Sequence, residues 1–355
     1  MPRLRALVLA AGLGTRLRPL TEAMPKPLLP VCGVPVLGHT LAQLAAVGCE
    51  AVAVNLHYQG EQIRQRFGDR FADIPLTWSE EPELLGTGGA LHPLRDFFAP
   101  ADLVLLINGD SLCRWPLKRL IRAHQTAGST AATLLLTRRA DLAAFGGGVG
   151  IGREGEILSF RTGDPEPASG TGAISRRLVF AGAHVFAPPL LERVGPGPSD
   201  IVRDLYSPLL AEGGRLSSIA TDRSWHDLGT PRRFLAASLD WARAGWPERL
   251  WRRSWVSPEA EITARVTLRQ AAVEAGSRVG EGAQVERSVL LPGSRVGEGS
   301  ILREVIVGFG AVVPPGSRVE RRIVTRPLGG AAPGLDDSVV GGVVYTPLDP
   351  PGTAA

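Results

Sequence analysis

Cysteine is scarce in this chain: 355 residues hold three, Cys32, Cys49 and Cys113, odd in number and unevenly spaced. That excludes a disulfide framework and a Cys-paired metal site, and leaves reduced packing thiols of the kind found in the cytoplasm. No run of about 18 apolar residues occurs, and the first residues lack a basic segment followed by an apolar core and cleavage site. Neither a membrane span nor a targeting segment is expected, so the predicted location is cytoplasmic. Lys plus Arg exceeds Asp plus Glu only by 39 to 35, a net charge of +4. The arginines are dispersed rather than blocked or interleaved with aromatics, which argues against a nucleic-acid surface. The Gly-x-x-x-x-Gly-Lys-Ser/Thr phosphate-binding signature is also missing, and the first glycine turn of the chain does not match Gly-x-Gly-x-x-Gly. What remains is the composition of an ordinary soluble protein, 44% hydrophobic and 21% charged, long enough for two domains.

The strongest local signal follows the apolar run Leu7-Val8-Leu9-Ala10, where Ala11-Gly12-Leu13-Gly14-Thr15-Arg16 sits at the end of a predicted buried strand and Pro25-Lys26-Pro27 lies shortly after. Glycine lacks a Cβ, so its backbone can bring N–H groups against an anion. Arg16 adds a planar donor fork and Lys26 a mobile point charge, a pairing suited to a polyphosphate. The turn is predicted to bind a nucleoside triphosphate.

Beyond it, strand and helix patterns alternate. Leu37, Leu41 and Leu44 mark a helix, residues 51–56 a strand, Ile63 and Phe67 a helix, and residues 76–79 a strand; Leu91, Leu94 and Phe98 mark a further helix. Residues 103–107 form an unbroken apolar run, as in a central strand covered on both faces, which puts Asn108-Gly109-Asp110 at its carboxyl end, the edge where open α/β sheets bind ligands. The predicted fold is α/β and Rossmann-like over residues 1–243, followed by a linker over 244–255. From 256 the pattern changes to aliphatic residues in steps of six: Val256, Ile262 and Leu268; Val273, Val279, Val285 and Leu291; Val296 and Leu302; Val307, Val313 and Val319, with slips to five between blocks. Three hexapeptides per coil predict a triangular β-helix over 256–325. Residues 326–355 read as a low-complexity tail.

Taken together, Gly12-Leu13-Gly14-Thr15-Arg16-Leu17, Pro25-Lys26-Pro27, residues 81–89, Asn108-Gly109-Asp110 and Trp225-His226-Asp227-Leu228-Gly229-Thr230-Pro231 resemble the signature of the nucleotidyltransferases that activate sugar 1-phosphates. The resemblance spans most of the chain, and the hexapeptide segment resembles the left-handed parallel β-helix that often accompanies that family. It implies catalytic roles for Arg16, Lys26 and Asp110, and nucleotide contacts from Ala10, Ala11, Gly12, Gly14 and Thr15. It further implies Mg²⁺ on Asp110 and Asp227, a nucleobase held by Glu81, Gly86 and Thr87, and a sugar phosphate near Gly182, Arg161 and His184. One departure is visible: where many relatives carry Glu-Lys-Pro, this chain reads Phe160-Arg161-Thr162-Gly163-Asp164-Pro165, without the lysine.

Within the family the chain most resembles the mannose-1-phosphate guanylyltransferases, implying GTP and mannose 1-phosphate as substrates. Uridylyl or thymidylyl transfer to glucose, N-acetylmuramate or heptose 1-phosphate is the alternative, and a noncatalytic sugar-nucleotide-binding regulatory subunit is the alternative of another class. Acyl transfer by the β-helix is disfavoured, because that chemistry needs a histidine base and the last histidine is His226. The β-helix is instead expected to be an assembly or regulatory module, with a homo-oligomer formed through it, so that its removal changes oligomeric size more than chemistry.

Overall fold

A computed structural model of the protein describes residues 2–161, 173–243, 254–327 and 336–349. The chain divides into two compact units, Met1–Leu13 with Leu37–Trp225, and Gly14–Val36 with His226–Ala355.

The first unit is built on one mixed sheet. Its strands are β1 (Leu4–Leu9), β2 (Ala51–Leu56), β3 (Ile74–Glu80), β4 (Leu103–Asn108), β5 (Ala132–Thr137), β6 (Arg176–Phe186) and β7 (Leu216–Thr221). They lie in the order β3-β2-β1-β4-β6, with β5 joining β6 to β7. The strands β1 to β4 are parallel. Their apolar runs explain the placement: Val8, Val54, Val104 and Ile107 are wholly buried, as strands covered on both faces require. Strand β6 is antiparallel to both β4 and β5, a direction that nothing in its own residues announces.

Helices α1 (Val36–Ala45), α2 (Gly60–Phe67) and α3 (Leu117–Thr126) follow the leucine and isoleucine spacing. The helix predicted over Leu91, Leu94 and Phe98 is instead broken into His92–Leu94 and Arg95–Phe98.

In the second unit, residues from Trp255 onward wind into a left-handed parallel β-helix. Each coil takes 17 residues, the separation at which Ser277 meets Ser294 and Ser288 meets Val305. Val256, Val273, Leu290, Val307 and Val324 stack in one sheet; Ile262, Val279, Val296 and Val313 in the second; Leu268, Val285, Leu302 and Val319 in the third. The inward steps are therefore six, six and five, each step turning one corner of the triangle. Leu290, not Leu291, is the stacked residue, because the slip to five falls one coil corner earlier than the sequence blocks place it.

The tail is more ordered than its composition suggests. Ser338–Val340 and Val343–Pro347 form a hairpin that pairs antiparallel with Arg322–Thr325. Asp349, just beyond, is shared by Arg321 and by Arg232 of α4 (Pro231–Arg243). Of the expected linker at 244–255, residues 244–253 lie outside the described residues, and Trp255 already stands in the first strand of the β-helix.

Candidate active site

In the first unit the predicted site residues gather at the carboxyl ends of β1, β2, β3 and β4. Ala10 N donates to Asn55 Oδ1 at 2.7 Å, and Asn55 Nδ2 donates to Glu81 Oε1 at 2.8 Å. Leu85 N donates to the other oxygen of Glu81 at 3.0 Å, and Glu81 N to Leu56 O at 2.8 Å. One buried network thus ties the start of the glycine turn, the end of β2 and the segment after β3. Gly109 N donates to Leu9 O at 2.8 Å, and a Cβ on Gly109 would lie 2.7 Å from that oxygen. Glycine at 109 lets the backbone cross β1 closely enough to set Asp110, half-buried, beside the turn.

Three of the residues assigned to the nucleobase are also engaged within the protein itself. Glu81 is 3% exposed with both oxygens engaged inside the protein, so it holds the frame of the site. Gly86 and its neighbours serve packing: a Cβ on Gly86 would lie 2.6 Å from Ser199 O, and one on Gly89 would lie 2.3 Å from Gly197 O. The Thr87 hydroxyl is engaged between Ile201 N at 2.9 Å and Asp200 Oδ2 at 3.3 Å. The Gly-Thr-Gly-Gly run is therefore a seat for residues 197–201, closed by Gly88 N to Ser199 O at 2.9 Å. Gly89→Val is expected to cost about 2 to 3 kcal/mol by overpacking against that backbone, measured as a lower denaturant midpoint; an unchanged midpoint would refute the seat.

On the expected sugar side, His184 departs most from its expectation. It is 2% exposed, its Nδ1 lies 2.5 Å from Tyr206 Oη, and Phe180, Phe186 and Tyr206 surround it. Burial pushes the imidazole down to about 3, so it is a neutral core residue. Gly182 has φ +80 and lies against the Asn108 side chain, whose Nδ2 would be 2.6 Å from an added Cβ. Arg161 is exposed at the edge of the hairpin formed by Val149–Ile151 and Ile157–Ser159; residues 162–165 lie outside the described residues. Arg177, near the start of β6, donates to Gly148 O at 2.9 Å.

The second unit holds the cationic half of the turn. Gly14, with φ +65, starts the short helix Thr15–Leu17. Thr21 Oγ1 donates to Gly14 O at 2.8 Å, and a Cβ at 14 would strike the Thr21 methyl at 3.0 Å. Arg16 is exposed, whereas Lys26 is 8% exposed at the start of the short helix Lys26–Leu28. Arg16 and Asp227 converge over Gly229: an added Cβ there would lie 3.0 Å from Asp227 Oδ2 and 3.3 Å from Arg16 Nη2. Arg233 Nη1 binds Asp227 Oδ2 at 2.6 Å and orients it.

Asn55 and Arg233 are functional candidates that sequence reasoning missed. A lone amide inside the apolar strand Ala51–Leu56 was the available signal for the first. The three cysteines are free, and burial pushes each thiol up to about 12, which keeps them as neutral packing groups.

Among the described residues, no group of three or more His, Cys, Asp or Glu is arranged to hold a metal by itself. Asp110 and Asp227 do offer hard oxygen donors. Asp110 lies in the first unit and Asp227 in the second, and each is of the ligand type a divalent cation prefers.

Comparisons with known proteins place the sequence among its relatives. The sequence model of the nucleotidyl transferase family matches residues 5–244, and that of the GlmU-like C-terminal hexapeptide matches residues 248–321. The chain is 30% identical over 253 residues to the mannose-1-phosphate guanylyltransferase catalytic subunit beta of Danio rerio, covering 70% of this chain and 68% of that one. To the protein of the same name from Drosophila pseudoobscura pseudoobscura it is 32% identical over 235 residues, covering 65% and 60%. To the mannose-1-phosphate guanylyltransferase of Mycobacterium tuberculosis it is 30% identical over 322 residues, covering 90% and 79%. The chain thus spans about two thirds of the length of these animal relatives and about four fifths of the mycobacterial one. With a glycine turn at the carboxyl edge of a parallel sheet, aspartates after β4 and before α4, and matches across both segments, the chain belongs to the nucleotidyl transferase family.

Proposed function

We propose that the protein condenses GTP with mannose 1-phosphate, releasing pyrophosphate and GDP-mannose, and that the divalent metal used by this family is here Mg²⁺. The base and sugar rest on the names of the relatives. The observation that carries the nucleotidyl-transfer reading is the buried network Ala10–Asn55–Glu81, which fixes the phosphate turn at the sheet edge where Asp110 emerges.

In this reaction an oxygen of the sugar phosphate attacks the α-phosphorus in line with departing pyrophosphate, so the protein's task is to place both substrates and neutralise charge. We assign the phosphate contacts to the backbone of Ala10, Ala11, Gly12, Gly14 and Thr15. Arg16 and Lys26 hold the triphosphate and stabilise the charge that grows on the α-phosphoryl group and the leaving pyrophosphate. Asp110 and Asp227 are the carboxylates that would hold Mg²⁺, which when bound supplies further positive charge at the phosphates. On the sugar side, the exposed Arg161 is the cation we assign in place of the family's lysine.

The three free thiols support a cytoplasmic location, and no helix among the described residues is long and apolar enough to cross a membrane. The β-helix is the surface through which we expect copies of the chain to assemble.

Purified protein incubated with Mg²⁺, each nucleoside triphosphate and a panel of sugar 1-phosphates should release pyrophosphate fastest with GTP and mannose 1-phosphate. Preference for UTP or dTTP with another sugar phosphate would replace the substrate assignment. Binding of sugar nucleotides without any pyrophosphate release would identify a regulatory subunit instead.

A further inference from the structure

One carboxylate of the β-helix receives two backbone N–H groups from the segment that carries Arg16 and Lys26. Gly33 N donates to Glu274 Oε2 at 2.8 Å, and the Cys32 N–H donates to the same carboxylate. Glu274 is 1% exposed and follows the strand Ala272–Val273, and its Oε1 is buried with no hydrogen-bond partner. Leu291 and Gly308 occupy the same corner in the next two coils, so a glutamate here departs from an otherwise apolar or small position. Burying a carboxylate with one unsatisfied oxygen costs stability. The turn it holds accounts for its presence.

Cys32 and Gly33 both lie in left-handed backbone, with φ 52 and 78, a shape that a non-glycine residue keeps only when its surroundings impose it. The Trp255 ring supports the turn, since a Cβ on Gly33 would lie 3.3 Å from two indole carbons. The turn closes the hairpin Pro30–Val31 with Val34–Pro35. From there Val36 N reaches Leu29 O at 3.0 Å and Leu29 N reaches Lys26 O at 3.1 Å. A short chain of hydrogen bonds therefore runs from the second coil of the β-helix to the backbone of Lys26.

We propose that Glu274 is a positioning residue through which the β-helix fixes the Cys32–Gly33 turn, and with it Lys26, so that the hexapeptide domain sets the affinity for the nucleoside triphosphate. The proposal rests on the reading that Lys26 binds that triphosphate. Burial raises the Glu274 carboxyl to about 7; the titratable group facing it is the Cys32 thiol, itself raised to about 12 and therefore neutral. Near neutral pH the carboxylate thus gains its charge, and a charged acceptor holds N–H groups more strongly than a neutral one.

Full-length Glu274→Ala and Glu274→Gln, compared with the wild type, test this. Glu274→Ala is expected to raise KM for the triphosphate about tenfold, the loss of one to two hydrogen bonds to a charged group, with KM for the sugar phosphate unchanged. Amide exchange at Cys32 and Gly33 should accelerate in the same variant. Glu274→Gln keeps one acceptor and should recover most of the affinity at pH 6. The ratio of its triphosphate KM to that of the wild type should grow as pH rises through 7, because only the wild type gains a charge there. Should the alanine variant fail to fold, this ratio decides alone. A ratio independent of pH, or equal rises in both KM values, overturns the proposal. If the wild type releases no pyrophosphate, the functional reading fails, while unchanged exchange at Gly33 in a folded variant would separately overturn the clamp.

Discussion

Asp110→Ala is expected to lower turnover by about 10²-fold or more while leaving the unfolding midpoint close to that of the wild type. The magnitude is that of removing one fixed stabiliser of transition-state charge. The selectivity follows from the structure: Gly109 N to Leu9 O at 2.8 Å anchors the backbone there, and a half-buried carboxylate at a strand end carries little of the core. Turnover at saturating triphosphate and sugar phosphate, with a titration of Mg²⁺, is the measurement. A carboxylate that holds the metal should also shift the Mg²⁺ concentration for half-maximal rate upward. Asp227→Ala should do the same with some added structural loss, since it releases Arg233 from its 2.6 Å contact. Near-normal turnover in Asp110→Ala, with an unmoved Mg²⁺ requirement, would remove the metal assignment.

Where function could be read along the chain, the signal was local. The apolar run at 103–107 predicts a buried strand and therefore the edge on which Asp110 stands, and β4 places it there. The six-residue steps from Val256 predict a β-helix, because stacking demands the same inward position in every coil. What stayed hidden depends on partners distant in sequence. The direction of β6 is set by β4 and β5, not by its own residues. The Gly-Thr-Gly-Gly run looked like a nucleobase seat because glycines admit close approach. Which group approaches was decided by residues 197–201, more than a hundred positions away, whose backbone carries no motif. His184 shows the same limit: an imidazole on a strand reads equally as ligand or core until Tyr206 is placed beside it. The cationic segment 14–36 belongs to the same compact unit as the coils, an association that no local pattern in either stretch announces.

Asn55→Leu is expected to cost about 3 kcal/mol of stability and to depress turnover far more than a surface substitution of equal size. Its amide joins two groups that have no other reason to meet: the oxygen receives Ala10 N at 2.7 Å, and the nitrogen serves Glu81 Oε1 at 2.8 Å. Both Asn55 and Glu81 are 3% exposed. Leucine preserves the volume of the strand position but leaves a carboxylate oxygen and a backbone N–H without partners, and breaking one side of a buried charged contact costs several times what the contact itself contributes. The double variant Asn55→Leu with Glu81→Leu removes the stranded oxygen and should regain part of the lost stability. It should not regain turnover, because the phosphate turn then has nothing to hold Ala10 and the segment at Leu85 loses its acceptor. Denaturant midpoints and pyrophosphate release measured on the two single variants and the double variant form one cycle. Stability and turnover recovering together would mean that the network serves packing only. Stability recovering alone would show that Asn55 and Glu81 align the triphosphate turn, a task no apolar pair can perform.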